Sequence, residues 1–305
     1  MEKNIRITKR DMELLKFLAE YKIMSLDNTK YIYGTVTYQE KRIVALVKHG
    51  YVKRLKHRYV ALGLEGKKYL RLFGIDVVQH CRNENNIERL NIMSDIASCL
   101  IKDKLNFTAS WRLKDKESAT QHSRRYIGKL QHNNYSFLVY AVYENKTNKY
   151  IKSVHYDIKK EHEIKNVAIL TNDLEKLMFG KNSFVFGLDN LLLIPYNEYG
   201  KFIFRNNVEI RYAIYDYLKK LDDVKLSESK YADLEKSNGE YIKIMLIINL
   251  EYLSSVKAAY RGETMKDKRL CIICLEELEP LIKQYLPQCN YLTMNKEKIN
   301  QLLGK

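Results

Sequence analysis

The sequence is poor in the residues that define several classes of protein. It has 5 Cys, 3 Pro and 12 Gly in 305 residues, and no apolar segment of signal-peptide length follows Met1. The longest apolar stretches, such as 244–250, are far too short to cross a bilayer, so we expect no membrane association. Cysteines without a secretory signal are expected to be reduced, which predicts a cytoplasmic protein without disulfides.

Motifs that carry chemistry are scarce as well. The 7 His residues form no metalloprotease motif, and no Gly-rich phosphate-binding loop is present. His122 and Ser123 have no recognisable third partner for a catalytic triad. Cys271 and Cys274 have the spacing of a metal-binding pair, but their apolar surroundings favour a buried strand. We therefore expect a protein that is not an enzyme, with no catalytic residue, no metal ligand and no cofactor.

What the chain does have is positive charge, concentrated near the N-terminus. The net charge is +16 and the isoelectric point about 9.4. Residues 1–80 contain 17 Lys and Arg against 8 Asp and Glu, which leaves 36 against 29 for the remainder. Such an excess favours polyanionic partners through counterion release, and its location favours an N-terminal binding module. The length predicts two domains, a small head and a larger body.

Three helices are predicted within the first fifty residues. Thr8 and Asp11 form a capping box for a helix that reaches Tyr21. Ser25 is the predicted N-cap of a second, short helix that Gly34 ends.

Thr37 and Glu40 form a second predicted capping box, which opens a third helix that runs to His49. Its apolar stripe of Ile43, Leu46 and Val47 must face the other helices, so the opposite face carries Tyr38, Lys41, Arg42, Ala45 and Lys48. A short helix with basic outward residues suits the major groove, where Arg and Lys reach guanine and Gln39 is able to pair with adenine.

A basic hairpin follows the third helix. The β-prone runs 51–55 and 59–62 are joined by Lys56, His57 and Arg58, so that the tip is entirely basic, and a further helix begins near Leu64. A two-stranded wing of this kind presents cations to the sugar-phosphate backbone or to the minor groove. The predicted DNA-binding residues are Thr37, Tyr38, Gln39, Lys41, Arg42, Lys48, Lys53, Arg54, Lys56, His57 and Arg58.

This arrangement resembles the winged helix-turn-helix head of the replication-relaxation family of plasmid and mobile-element proteins. The matching residues are Arg10, Asp11, Leu14, Leu15, Phe17 and Leu18, then Arg42, Leu46 and Gly50. The family's final Tyr-x-Leu-x-x-x-Gly run corresponds to residues 59–66, with a different spacing. The resemblance covers about a quarter of the chain. It implies a sequence-specific protein that binds double-stranded DNA and serves replication, relaxation or transcriptional regulation in a plasmid, phage or integrative element.

The rest of the chain predicts an α/β body. We expect a winged helix-turn-helix domain over residues 1–75, a connecting helix over 76–105 that is also a candidate for homodimerisation, and an α/β domain with one mixed central sheet over 106–305. The expected strands are 135–143, 149–158, 166–170, 191–196, 201–205, 241–250, 269–274 and 290–294, of which 191–196 and 201–205 are expected to pair as a hairpin. The expected helices are 87–104, 173–178, 251–260, 276–285 and 296–303. A relaxase, replication protein or transcription protein is the expected protein partner.

Two other functions remain open at the level of sequence. Glu144 and Lys146, with Asp115 or Glu117, have the residue types of a metal-dependent nuclease, although a surface turn is the favoured interpretation of that segment. In this alternative the protein is a metal-dependent nuclease with a winged-helix targeting head. If the segment is a surface turn, the body is at most a degenerate nuclease-like domain. Alternatively, the body senses a small molecule and regulates transcription. The basic segment 121–129 extends the DNA footprint or forms a solvated loop.

Overall fold

A computed structural model describes residues 5–77, 87–100, 106–114, 125–132, 135–142, 148–160, 165–180, 187–221, 224–262 and 264–304. The chain divides into two compact units. The first draws on residues 1–123 and 127–134, and the second on residues 124–126 and 135–305. The overall class is mixed α and β, with a helical region and a small sheet at the N-terminus and larger mixed sheets after it.

The first unit contains six helices, one 3-10 turn and five strands among its described residues. They are α1 (Lys9–Tyr21), β1 (Ile23–Ser25), the 3-10 turn (Asp27–Thr29), α2 (Lys30–Tyr33), α3 (Val36–Lys48), β2 (Val52–Leu55), β3 (Tyr59–Leu62), α4 (Leu64–Leu72), α5 (Ile87–Cys99), β4 (Asn106–Ala109), α6 (Ser110–Lys114) and β5 (Gly128–His132). β1, β3 and β2 form an antiparallel sheet in that order, and β4 pairs antiparallel with β5.

The helix predicted over 87–104 is part of this first unit. α5 packs against β1, and its buried residues include Ile92, Asp95 and Ile96. Asn28 donates an amide hydrogen bond to Asp95 at 2.7 Å, which fixes α5 to the 3-10 turn. The apolar stripe that favoured a connecting or dimerising helix therefore packs within the unit. The unit also extends past the predicted boundaries at residues 75 and 105.

β4 and α6 enclose the end of α1. Tyr21 donates its hydroxyl hydrogen to the Phe107 carbonyl at 2.7 Å, and the Trp111 indole donates to the Glu20 carbonyl at 2.6 Å. The ammonium of Lys22 lies 3.8 Å from the centre of the Trp111 ring, where the negative face of the ring attracts a cation. These contacts connect residues about ninety positions apart, so they hold the unit together across its sequence.

The second unit contains two mixed sheets, where one central sheet was predicted. Its elements are β6 (Tyr135–Val142), α7 (Asn148–Lys160), β7 (Asn166–Thr171), α8 (Leu174–Phe179), β8 (Asn190–Pro195), α9 (Glu198–Leu221), β9 (Val224–Leu226), β10 (Leu234–Lys236), β11 (Tyr241–Met245), β12 (Ile248–Asn249), α10 (Leu250–Arg261), β13 (Leu270–Leu275), α11 (Glu279–Tyr285), β14 (Asn290–Met294) and α12 (Lys296–Leu302). One sheet has parallel β6, β7 and β8 with antiparallel β12. The other has the order β14-β13-β11-β10-β9, in which β11, β13 and β14 run parallel.

Two predicted strands of this unit are helices. The segment predicted as a strand over 149–158 is α7, whose buried residues Ile151, Val154 and Ile158 recur at helical spacing. The predicted strand 201–205 lies within α9, so no hairpin forms there. The apolar positions of α9 continue at helical spacing to Leu218, far beyond the short run that resembled a strand. None of the described helices is long and apolar enough to cross a membrane.

Candidate nucleic-acid interface

The candidate interface consists of α3 and the hairpin of β2 and β3. α2 ends at Gly34, whose φ of 88° is readily adopted only by glycine, and Thr35 then leads into α3. The helix begins at Val36, so the prediction that Thr37 is its N-cap is wrong. Thr37 lies in the first turn of α3 and is exposed. The Thr8 capping box of α1 is confirmed, with Thr8 and Asp11 bonded to each other in both directions.

Gln39 lies on the buried side of α3, which contradicts its predicted contact with adenine. Its side-chain nitrogen donates to the Leu26 carbonyl at 3.0 Å, and the residue is only 6% exposed. Within the described part of the chain its side-chain oxygen has no hydrogen-bond partner. Gln39 lies four residues before Ile43 and seven before Leu46, both buried, so all three share one face of the helix. Gln39 therefore ties α3 to the segment before α2.

Arg42 also points inward, which contradicts its predicted position on the outward face. Its guanidinium Nε lies 2.9 and 3.0 Å from the two carboxylate oxygens of Asp11, and Nη2 donates both to Asp11 and to the Arg6 carbonyl. The Arg42 side chain is 16% exposed and that of Asp11 is fully buried. Arg42 therefore joins α3 to α1 through a buried ion pair.

Further hydrogen bonds complete the environment of Asp11. The carboxylate accepts from the backbone nitrogen and the hydroxyl of Thr8, both at 2.7 Å, and from the Tyr33 hydroxyl at 2.8 Å. Burial raises the pKa of Asp11, but the hydrogen bonds from Arg42, Thr8 and Tyr33 outweigh it, so the pKa lies below its ordinary value. Burial and the neighbouring carboxylate raise the pKa of Tyr33. Asp11 therefore stays ionised and connects α1, α2 and α3.

The outward side of α3 carries a ridge of four exposed residues, which we call the α3 ridge. It consists of Thr37, Lys41, Val44 and Lys48, which are four, three and four positions apart and so lie along one line of the helix. Val44 is 55% exposed and lies one turn from each lysine. Val44 is not among the predicted DNA-binding residues, although its spacing from Lys41 and Lys48 places it on the same line of the helix.

Tyr38 flanks the α3 ridge. It is 40% exposed, its ring packs edge-on against Tyr33, and the guanidinium carbon of Arg10 lies 5.9 Å from the ring centre. Arg10 donates to the Tyr33 carbonyl at 2.8 Å, so the exposed arginine is held beside the ring. Arg10 is not among the predicted DNA-binding residues, and it adds a positive charge beside α3.

The predicted hairpin is confirmed, with Leu55 opposite Tyr59 in the register. The loop between them consists of Lys56, His57 and Arg58, all exposed, and Lys53 and Arg54 on β2 are exposed as well. Lys56 and His57 have φ angles of 47° and 56°, in the left-handed region that few residues other than glycine occupy, although Asn, Asp and His are enriched there. The tip therefore has basic side chains where the backbone favours glycine or asparagine.

Two glycines bring α4 close to the turn that joins α3 to the hairpin. A Cβ on Gly63 would lie 2.1 Å from the Gly50 carbonyl oxygen, and one on Gly66 would lie 2.1 Å from the Tyr51 carbonyl oxygen. The Gly63 amide donates to that Tyr51 oxygen at 2.9 Å. This close approach fixes the turn between α3 and β2 against the start of α4.

The second unit has a cavity of about 420 Å³ at the carboxyl ends of β7 and β8. Its lining includes Thr171, Asn172, Tyr196, Asn197 and Glu277. Thr171 and Asn197 are occupied in part by local bonds, since their side-chain oxygens accept from the amides of residues 173 and 200 at 3.0 and 2.6 Å. The carboxyl edge of parallel strands is a common place for ligands in α/β proteins.

The cysteine pair does not form a metal site. Cys271 and Cys274 lie on β13 three positions apart, so their side chains point to opposite faces of the sheet. Burial raises the pKa of Cys271, and it raises that of Cys274 to about 12. Nowhere in the described ranges do three or more His, Cys, Asp or Glu residues cluster as metal ligands would.

Residues 115–124 and 143–147 lie outside the described residues. They include all four predicted nuclease residues, namely Asp115, Glu117, Glu144 and Lys146, as well as the pair His122 and Ser123 and the first part of the basic segment 121–129. The chain matches no protein-family model, and no curated protein and no solved structure is significantly similar to it.

Proposed function

We propose that the N-terminal residues through Val77 form a winged helix-turn-helix module that binds double-stranded DNA. The order α1, β1, α2, α3, β2, β3 and the sheet order β1-β3-β2 support this assignment. α2 and α3 pack together across the tight turn at Gly34, as the two helices of a helix-turn-helix do. In this proposal α3 enters the major groove and the hairpin is the wing.

Charge is the observation that carries the proposal. Residues 36–58 contain seven Lys and Arg and a single acidic residue, Glu40. One of the seven, Arg42, is neutralised by Asp11, and the other six are exposed. They follow one another along α3 and the hairpin, which suits a duplex whose charges lie on two phosphate backbones. The proposed contacts are therefore Thr37, Tyr38, Lys41, Lys48, Lys53, Arg54, Lys56, His57 and Arg58, without Gln39 and Arg42.

The backbone of the wing tip gives independent support. Left-handed φ angles at non-glycine residues cost roughly 1–2 kcal/mol each and are concentrated at functional sites. Asn-Gly would form the same turn without that cost. Lys56 and His57 occupy it in this chain, which is accounted for if their side chains are needed for binding.

The resemblance to the replication-relaxation family supports a biological role. We propose a sequence-specific DNA-binding protein of a plasmid, phage or integrative element, active in replication, relaxation or transcriptional regulation. In this scheme the first unit binds the specific DNA site. The second unit, with its two mixed sheets, recruits a relaxase, a replication protein or a transcription protein, or joins two copies of the chain.

Equilibrium binding tests the proposal. A duplex selected from a random pool with the full-length chain would be titrated against the wild type and the double variant Lys53→Ala/Lys56→Ala. Loss of two phosphate contacts should weaken binding about tenfold or more at ~0.1 M salt. The matched control is Lys219→Ala/Lys220→Ala, which removes the same charge from exposed positions of α9. Equal affinity of all three proteins, or failure to select any duplex, refutes the proposal.

The cavity in the second unit favours a second candidate, a regulator that responds to a small molecule. Its position at the carboxyl ends of β7 and β8 is typical of ligand sites, and so is its lining, in which apolar surface predominates and a few polar side chains are present. Leu174 lines the cavity, so Leu174→Trp should fill it. A compound from a metabolite library that raises the melting temperature of the wild type and leaves that of Leu174→Trp unchanged supports this candidate. A library without such a compound counts against it.

A further inference from the structure

The outward side of α3 carries neither an arginine nor an amide side chain. Direct discrimination of guanine and adenine relies on bidentate side chains, Arg or Lys for guanine and Asn or Gln for adenine. α3 has one arginine and one glutamine, and both are committed to the protein interior. Arg42 is bonded to Asp11, and Gln39 is bonded to the Leu26 carbonyl. Arg42 and Gln39 are therefore not available to base edges, and the exposed side chains along the outward line of the helix are those of the α3 ridge, namely Thr37, Lys41, Val44 and Lys48.

An apolar side chain occupies the centre of the α3 ridge instead. Val44 is 55% exposed, with Lys41 three positions before it and Lys48 four positions after it. A single exposed valine needs no special explanation on a protein surface. Here, however, the valine lies on the same line of the helix as Lys41 and Lys48, about one turn from each. A helix that docks with the α3 ridge toward the DNA presents the isopropyl group of Val44 to the floor of the groove.

One feature of the major groove is apolar. The C5-methyl group of thymine projects into it, and small apolar side chains recognise it by contact. We propose that Val44 is a specificity-determining residue that contacts a thymine methyl, so that the chain prefers duplexes with A·T pairs beneath the middle of α3. This inference rests on the proposed DNA-binding function.

Replacing thymine with deoxyuridine tests the contact, because uracil keeps the base pair and lacks only the methyl group. Thymines of a duplex selected with the full-length chain would be replaced one at a time and affinities measured by fluorescence anisotropy. At one or more positions the wild type should bind about fourfold more weakly, as expected for a single buried methyl. Val44→Ala should bind the thymine duplex equally weakly and should not distinguish uracil from thymine there.

A matched control is Leu226→Ala, which removes another exposed apolar side chain, 71% exposed, from β9 of the second unit. It should keep the wild-type sensitivity to uracil. Equal binding of the thymine and uracil duplexes by the wild type overturns the methyl contact, and so does unchanged sensitivity in Val44→Ala. Either result leaves DNA binding itself intact. Absence of binding to every duplex at low salt is the distinct outcome that overturns the proposed function as well.

Discussion

Replacement of Arg42 by alanine separates a structural role from a DNA-reading role. In the sequence Arg42 is a candidate for a guanine contact, and such a contact would be worth about 1–3 kcal/mol of specific binding. In the structure its guanidinium pairs with the fully buried carboxylate of Asp11. The Arg42→Ala variant should therefore lower the free energy of unfolding of the first unit. It should not remove a base-specific contact, because the guanidinium is committed to Asp11.

The size of the stability loss in Arg42→Ala depends on the buried Asp11 carboxylate, which loses its ion-pair partner. Removing one partner of a buried ion pair costs about 3–5 kcal/mol, because the other charge stays buried without compensation. Asp11 would keep its hydrogen bonds from Thr8 and Tyr33, which places the loss at the lower end, about 3 kcal/mol. Arg42→Lys keeps the charge and loses the forked geometry, so about half of that loss is expected.

Urea unfolding monitored by tryptophan fluorescence measures this loss. Trp111 is the single tryptophan of the chain, and its indole is bonded to the Glu20 carbonyl inside the first unit. With a typical dependence of about 2 kcal/mol per molar urea, the Arg42→Ala midpoint should fall by about 1.5 M. Lys41→Ala, one position away and exposed, is the matched control and should unfold within about 0.5 kcal/mol of the wild type.

One pair of results would refute this reasoning. If Arg42→Ala unfolds at the same urea concentration as Lys41→Ala and yet loses sequence preference in DNA binding, the guanidinium contacts bases and the pair with Asp11 is not maintained. A double-mutant cycle with Asp11→Asn gives the same answer independently, because a real pair produces a coupling energy of at least about 1 kcal/mol.

Three further predictions concern the backbone and the ionised groups. Lys56→Gly relieves the left-handed φ of 47°, so the free energy of unfolding should rise by about 0.5–1 kcal/mol while duplex affinity falls, and a drop in stability would contradict the strained tip. Gly66→Ala places a Cβ 2.1 Å from the Tyr51 carbonyl oxygen, so urea unfolding should show a loss of at least about 2 kcal/mol, whereas a wild-type midpoint would contradict the close approach. Asp11 is paired with Arg42, and Asp233 in the second unit is paired with Lys243 and Arg211, both at 2.9 Å. Both carboxyl groups have a lowered pKa, so the stability they provide is present above the ordinary carboxyl pKa of about 3.9 and is lost as the pH falls through their native values. Circular dichroism should show a melting temperature that drops below about pH 4, with a shallower drop in Asp233→Asn, and identical pH profiles would count against the role of Asp233.

Elements encoded by short-range patterns were predictable from the sequence. The capping box of α1, the hairpin of β2 and β3 and the strand β13 each depend on residues a few positions apart, and the structure has all three. The strand prediction for α7 failed because its mixture of apolar and polar residues over ten positions fits both the two-residue period of a strand and the 3.6-residue period of a helix. The apparent hairpin at 201–205 failed because a window of five residues cannot reveal a helix of 24 residues.

The candidate interface was predictable in its location and not in its individual contacts. The positive charge of α3 and the hairpin is visible in composition alone. The inward position of Gln39 follows from helical spacing relative to Ile43 and Leu46, so the pattern contained that signal. The inward position of Arg42 does not follow from the local pattern, because its partner Asp11 is 31 positions away and only the packing of α3 on α1 brings the two residues together.

The salt dependence of DNA binding tests the central claim most directly. The association constant of the full-length wild type for a selected duplex would be measured between about 50 and 300 mM salt, with Lys56→Ala measured in parallel. If the six exposed cations of α3 and the hairpin reach phosphates, the logarithm of the constant should fall with the logarithm of the salt concentration with a slope of about −5, and Lys56→Ala should make the slope shallower by about 0.9. A slope near zero, or an identical slope for the two proteins, would contradict a DNA interface at the α3 ridge and the hairpin.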